Sequence, residues 1–264
     1  MINLTVGAEV AMLTLCRPPV NAISEEWVRR FDARIDELIS RSDWKVLHIR
    51  SDQKVFCAGA DLKEVRERMQ VRDGPDRMYA FVAGIQRLYA RIEHLPQVSV
   101  AEIAGAALGG GLELALACDL RIAANEAQLG LPEARLGLIP GAGGTQRLTR
   151  LCGAAVAARL ILSAELIDGS TAQHLGIVQW AVGETELGKR TTEIIRSIAA
   201  LPADALAASK ALIAAAAGPG RGGYAEELEA TRRLLSSMET RQRVEEFLAG
   251  AAPQPTRDVR GAVL

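Results

Sequence analysis

Two glutamates in apolar surroundings are the first candidates for chemistry in this sequence. Glu113 lies in "GGGLELALACD" (Gly109–Asp119), among Leu112, Leu114, Ala115, Leu116 and Ala117. An unpaired carboxylate buried in such a run is costly or stays protonated. Glu133 follows Pro132 in "GLPEARLG" (Gly130–Gly137), a second apolar and glycine-rich setting. Two weakly solvated carboxylates, each beside a glycine turn, suit paired general acid–base work. Such a pair titrates as a coupled unit. In the first turn of a helix, Glu113 is equally compatible with simple compensation of the helix dipole.

The glycines beside these acids add a second element. Gly109, Gly110 and Gly111 stand at a strand-to-helix turn, where the main chain can approach a ligand closely. The first N–H groups of a helix have no intrahelical partner, so they can receive an anion or a developing oxyanion. A tight packing turn would use the same residues. In "FCAGADLKE" (Phe56–Glu64), the small residues Ala58, Gly59 and Ala60 offer another stretch of main chain at a helix start, which Asp61 can cap.

Several other chemistries are excluded by spacing. "GAALGGG" does not match G-x-G-x-x-G, no Lys-Ser or Lys-Thr follows the glycines, and G-x-S-x-G is absent. His48, His94 and His174 are isolated and read as surface or satisfied core histidines. Cys16, Cys57, Cys118 and Cys152 form no C-x-x-C pair and read as reduced, packed thiols. No cluster has metal-ligand spacing, so no metal site is expected.

The elements that must position the acids follow from hydrophobic period. "VAMLTL" (Val10–Leu15) and "KVLHIR" (Lys45–Arg50) read as strands. Between them Ser24 can cap a helix in which Val28, Phe31, Ile35, Leu38 and Ile39 recur at helical spacing. A helix over Met78–Ile92, a strand over Val98–Gly105, a short helix over Gly111–Cys118 and a strand over Leu120–Ala124 follow. This alternation predicts an α/β architecture. Beyond Leu148 the chain turns to Ala- and Leu-rich helices, with a hinge at Gly218–Gly223 and one last helix over Tyr224–Phe247. The tail from Gly250, with Pro253 and Pro255, is expected to be poorly ordered.

With 264 residues, 49% of them hydrophobic but only 4% aromatic, the core must be built from Ala, Val, Leu and Ile. A net charge of −1, from 31 basic and 32 acidic residues, gives no nucleic-acid footprint; Arg66–Arg68 and Arg232–Arg233 read as solvated helix faces. No apolar run reaches the ~20 residues of a membrane span. "MINLTVGAEVAMLTL" lacks a secretory pattern, so a cytoplasmic location is expected.

Three stretches together resemble the crotonase, or enoyl-CoA hydratase/isomerase, superfamily. They are "VFCAGADLKE" (Val55–Glu64), "GAALGGGLELALACDLRIAA" (Gly105–Ala124) and "LGLPEARLGLIPGAGGTQRL" (Leu129–Leu148), in family order and spacing. Their wording is most like short-chain and methylglutaconyl-CoA-type hydratases. The resemblance implies a spiral of ββα units over residues 1–200 and a C-terminal helical region over 201–264 that packs trimers or dimers of trimers. It implies an acyl-CoA thioester as substrate, with coenzyme A part of that substrate and no separate cofactor. Matched residue by residue, it places oxyanion-hole donors at the Ala60 and Gly110 N–H groups. Coenzyme A would lie along Ala58, Ala60, Asp61, Leu62 and Lys63, and Gly141 would help hold a water. Glu113 would orient and deprotonate that water, and Glu133 would exchange a proton with C2. The resemblance also leaves room for a Δ3,Δ2-enoyl-CoA isomerase or a non-catalytic acyl-CoA-binding protein. One departure stands out: "VEEFLAGAAPQP" (Val244–Pro255) lacks the Phe-Lys-Arg found near the C-terminus of many relatives.

Overall fold

The computed structural model describes residues 1–216 and 224–248. Its elements in chain order begin with β1 (Ile2–Val6), β2 (Val10–Leu15), α1 (Glu25–Ile39), β3 (Val46–Ser51), α2 (Leu62–Met69) and α3 (Gly74–Glu93). Next come β4 (Val98–Ile103), β5 (Ala107–Leu108), α4 (Gly110–Leu116), β6 (Leu120–Ala124) and β7 (Gln128–Gly130). A 3₁₀ turn at Pro132–Leu136 leads to α5 (Gly144–Leu162), which is interrupted at Gly153. Then follow β8 (Ile167–Asp168), α6 (Gly169–His174), β9 (Trp180–Val182), α7 (Glu184–Ala199), α8 (Ala203–Ala216), α9 (Tyr224–Leu235) and α10 (Met238–Leu248).

One six-stranded sheet runs in the order β1-β2-β3-β4-β6-β9, parallel throughout except for the β1–β2 pair. All six residues of β4 are buried, as expected for a parallel strand covered on both faces. A smaller sheet, β5-β7-β8, carries the turn that starts α4. The mixed α/β fold matches the expectation. The described residues divide into two compact units, one over Met1–Leu201 and one from Pro202 onward.

Local chemistry explains most of these boundaries. Ser24 caps α1 by accepting from the Trp27 N–H, and Trp27 and Phe31 meet edge to face with ring centroids 5.0 Å apart. Phe31, Ile35 and Leu38 are buried as the helical period predicts, whereas Ile39 is exposed. His48 is a satisfied core histidine, with Nε2 3.1 Å from Glu102 Oε2.

One strand adds to the expected elements, and one expectation needs correction. The alternating "INLTV" is an additional edge strand, β1. The single last helix is two helices, because Ser237 Oγ accepts from the Thr240 N–H and begins α10 as a new helix. The expected hinge at Gly218–Gly223 and the tail from Gly250 lie outside the described residues, and so do Ala249 onward in the departing C-terminal stretch.

Candidate active site

Two main-chain turns lie side by side. The Cys57 N–H donates to Ala106 O at 3.0 Å and the Leu108 N–H to Cys57 O at 2.9 Å. A Cβ on Gly111 would stand 2.1 Å from Cys57 O, so only glycine permits this approach. The parallel bridge between Ile23 and Ala60 uses the Ile23 and Asp61 N–H groups, which leaves the Ala60 N–H outside that ladder. Gly110 opens α4, where an N–H has no intrahelical partner. A Cβ on Gly59 would stand 3.5 Å from Gly110 N, which measures how closely the two turns approach.

The two glutamates stand beneath these turns. Glu113 is 3% exposed, and its Oε1 accepts from the Gly144 N–H at 2.7 Å. Burial pushes its carboxyl up to about 7; the Glu133 charge adds to this, while the Gly144 and Ala142 N–H groups and Arg147 oppose it. Glu133 reaches the same place from the 3₁₀ turn. Burial raises its carboxyl as well, and its Oε2 is shielded from solvent without a hydrogen-bond partner. A Cβ on Gly109 would stand 2.8 Å from Glu133 Oε1, and one on Gly110 would stand 3.9 Å from Glu113 Oε2. Successive glycines of one turn therefore touch both acids.

A cavity of about 1140 Å³ opens over this arrangement. Ala58, Ala60, Asp61, Leu62, Lys63, Gly110, Glu113, Glu133 and Gly141 all line it, so the residues matched through the family resemblance lie around one cavity. Val65, Met78, Phe81, Val82, Ile85 and Leu138 supply an apolar wall. Leu62 and Lys63 are exposed near the start of α2. Asp61 has a structural task beside its place in the lining: it caps α2 through the Lys63 N–H and pairs with Arg17 at 2.7 Å. Although burial pushes the Asp61 carboxyl up, the Arg17 hydrogen bond and charge hold it below its ordinary value.

Sequence reading missed four polar side chains that support the site, of which Gln86 lines the cavity itself. The Tyr89 hydroxyl donates to Gly110 O at 2.8 Å, which fixes the first peptide of α4. Gln86 and Arg147 donate to the loop that meets Glu113, and Glu93 accepts from Arg147. Arg147 lies within the "GGTQRL" motif, but no local spacing reveals a partner 54 residues away.

The arrangement offers two backbone donors, one nearly buried carboxyl held by N–H groups and one carboxyl with an unpartnered oxygen. It can stabilise negative charge on a carbonyl oxygen while moving protons on the other side of the same ligand.

Known proteins resemble this chain in sequence and in fold. The sequence model of the enoyl-CoA hydratase/isomerase family matches residues 5–251. A Bacillus subtilis protein named "Probable enoyl-CoA hydratase" is 42% identical over 202 residues, covering 76% of this chain and 74% of that protein. The mitochondrial methylglutaconyl-CoA hydratase of Mus musculus is 42% identical over 169 residues, covering 64% of this chain and about half, 52%, of its own length. The crystal structure of an enoyl-CoA hydratase from Bacillus anthracis superposes with a TM-score of 0.88 at 32% identity, covering 96% of this chain and 97% of that one.

Proposed function

The chain belongs to the enoyl-CoA hydratase/isomerase family, and on that premise we propose that it adds water reversibly across the 2,3 double bond of a 2-enoyl-CoA thioester. The observation that carries this reading is the meeting of Glu113 and Glu133 in one cavity under the Ala60 and Gly110 N–H groups. Glu113 orients the water and takes its proton as the oxygen bonds to C3. The double-bond electron pair moves toward the thioester oxygen, where the two N–H donors stabilise the enolate; losing one such donor costs about 3–4 kcal/mol of barrier. Glu133 protonates C2 as the enolate collapses, and the proton held on Glu113 returns to Glu133 before the next turnover. Hydration changes no oxidation state, so substrate and water suffice, and coenzyme A enters as part of the substrate.

The thioester's coenzyme A portion lies along Ala58 to Lys63, with Lys63 at the exposed edge, and Gly141 helps hold the water. The protein acts in the breakdown of fatty, branched-chain or aromatic acids, in the cytoplasm, as a trimer or dimer of trimers. The exposed apolar side chains of its C-terminal helices, such as Ile213, Leu228 and Met238, support such assembly. Among the described residues no single helix is long and apolar enough to cross a membrane.

A Δ3,Δ2-enoyl-CoA isomerase needs only one base between the turns, so the second carboxyl favours hydration. Product analysis separates the two. A panel of short and medium 2-enoyl-CoAs is expected to yield 3-hydroxyacyl-CoA. Conversion of 3-enoyl-CoA to 2-enoyl-CoA with no hydroxy product from either substrate would refute the hydratase reading.

A pH profile follows from the raised Glu113 carboxyl. A base works only when deprotonated, so kcat/KM should climb through the region of about pH 7, and it should fall again at the pH where Glu133 loses the proton it gives to C2. Because the two acids are coupled, the midpoint belongs to the pair. A midpoint near the ordinary carboxylate value of 4.5 would contradict burial as the source of Glu113's basicity.

A further inference from the structure

Glu113 is held by a loop, residues 140–144, that is itself held from outside. The Gly144 N–H donates to Glu113 Oε1 at 2.7 Å, and the Ala142 N–H opposes the upward push of burial on the same carboxyl. The Gly141 and Ala142 carbonyls of the loop are both occupied. Gln86 Nε2, on α3, donates to Gly141 O at 2.6 Å. Arg147 Nη1, in the first turns of α5, donates to Ala142 O at 2.9 Å. In a trans peptide the C=O and the following N–H point in opposite directions. Turning the Gly141 carbonyl toward α3 therefore turns the Ala142 N–H toward Glu113.

Arg147 is fixed in turn. Its Nη2 and Nε donate to Glu93 Oε2 at 2.9 and 3.2 Å, and its side chain is only 11% exposed. Gly143 packs so tightly on it that a Cβ there would stand 2.2 Å from Nη1. In a largely buried place an apolar residue of similar volume stabilises a fold as well as an ion pair does, or better. An apolar residue cannot hold the Ala142 carbonyl or place a positive charge beside the carboxylate.

We propose that Arg147, locked by Glu93 and assisted by Gln86, is a positioning residue: it holds the 140–144 loop against Glu113 and so fixes the orientation of the base. This rests on Glu113 being the base that activates water. Besides the loop N–H groups, the charged or titratable groups facing Glu113 are Glu133 from the 3₁₀ turn, Arg147 from α5 and Tyr89 from α3. Tyr89 keeps its proton on Gly110 O, so Arg147 is the one cation in that set. It opposes the upward pressure of burial on Glu113.

The two halves of the ion pair therefore have opposite signatures. Arg147→Gln removes the cation, and the acid limb of kcat/KM should move to higher pH by roughly half a unit to one unit. Glu93→Gln leaves the cation with one anion fewer nearby, so the limb should move to lower pH. Arg147→Lys keeps the charge and should return the limb toward wild type while kcat remains low. In all three variants kcat should fall about tenfold or more through misplacement of the loop, with KM changed less than about twofold.

The experiment is steady-state hydration of a 2-enoyl-CoA from about pH 5 to 9 with each variant, after thermal melts confirm folding. Opposite limb displacements for Arg147→Gln and Glu93→Gln establish the positioning role. Limbs that stay in place, or move the same way in both, overturn it. If Arg147→Gln does not fold, Glu93→Gln decides by itself, and the absence of a downward displacement overturns the role. An inactive wild type, or an unchanged rate in Glu113→Gln, is a different failure: it removes the base assignment and this role with it.

Discussion

Replacing Glu113 with glutamine is expected to lower kcat for hydration by about 10³-fold while leaving KM nearly unchanged. The amide keeps the shape of the side chain and an oxygen that still accepts from the Gly144 N–H, 2.7 Å away in the wild type. It cannot take a proton from water. The same substitution should stabilise the fold in alkaline buffer. The Glu113 carboxyl is raised from 4.5 to about 7 in the folded protein, so the folded state holds that proton more tightly than the unfolded chain does. The resulting stability is fully present below the ordinary value and is lost as pH rises through about 7. Integrated, the difference approaches about 3 kcal/mol. Denaturant titrations should find Glu113→Gln more stable than wild type at pH 8 and nearly equal to it at about pH 4, below the ordinary value of 4.5. Equal stability at both values would mean that Glu113 is not strained by burial. A variant that loses catalysis and gains stability identifies a group kept for its chemistry.

The second large effect is expected at Gly109. Its φ of +51° lies in the region that disfavours side chains, and a Cβ there would stand 2.8 Å from Glu133 Oε1. Gly109→Ala should therefore cost about 1–3 kcal/mol of stability through backbone strain. It should also lower kcat by about 10²-fold, because the proton donor is pushed out of line. Gly176→Ala is the control. That glycine also has a positive φ, +77°, but no atom lies within 4 Å of its added Cβ. Its variant should show a comparable strain cost with turnover intact. If both variants keep full activity, Glu133 does not work from the place the Gly109 contact gives it.

The candidate site was legible in the sequence to an uneven degree. Helix caps and short motifs were readable because their physics is local: Ser24 and Asp61 cap the helices their positions indicated. Glu113 stood out because an acid among leucines and alanines violates the apolar pattern, and burial is the reason. The break before α10 was not legible, since a serine inside a charged stretch looks like a solvated helix residue until its hydroxyl is seen capping Thr240. The roles of Gln86, Glu93 and Arg147 were hidden for another reason. Their partners lie 55, 54 and 5 residues away, and even the near contact, to Ala142 O, depends on how the loop folds back onto α4. Pairings set by tertiary contact leave no periodic trace.

The cavity shows the same division. Its polar floor was legible in three motifs, whereas its apolar wall comes mainly from α2 and α3, where Val65, Met78, Phe81, Val82 and Ile85 look like ordinary core positions. The period that makes a helix amphipathic also shapes a pocket, so residues that line a cavity leave the same trace as residues that only pack.

The most direct measurement follows the conjugated thioester absorbance of a 2-enoyl-CoA with wild type, Glu113→Gln and Glu133→Gln side by side. Wild type should consume the absorbance with formation of the 3-hydroxyacyl-CoA, and each variant should be slower by about two to four orders of magnitude. A wild type inactive on every short and medium enoyl-CoA, or two glutamine variants that retain the full rate, would contradict the account.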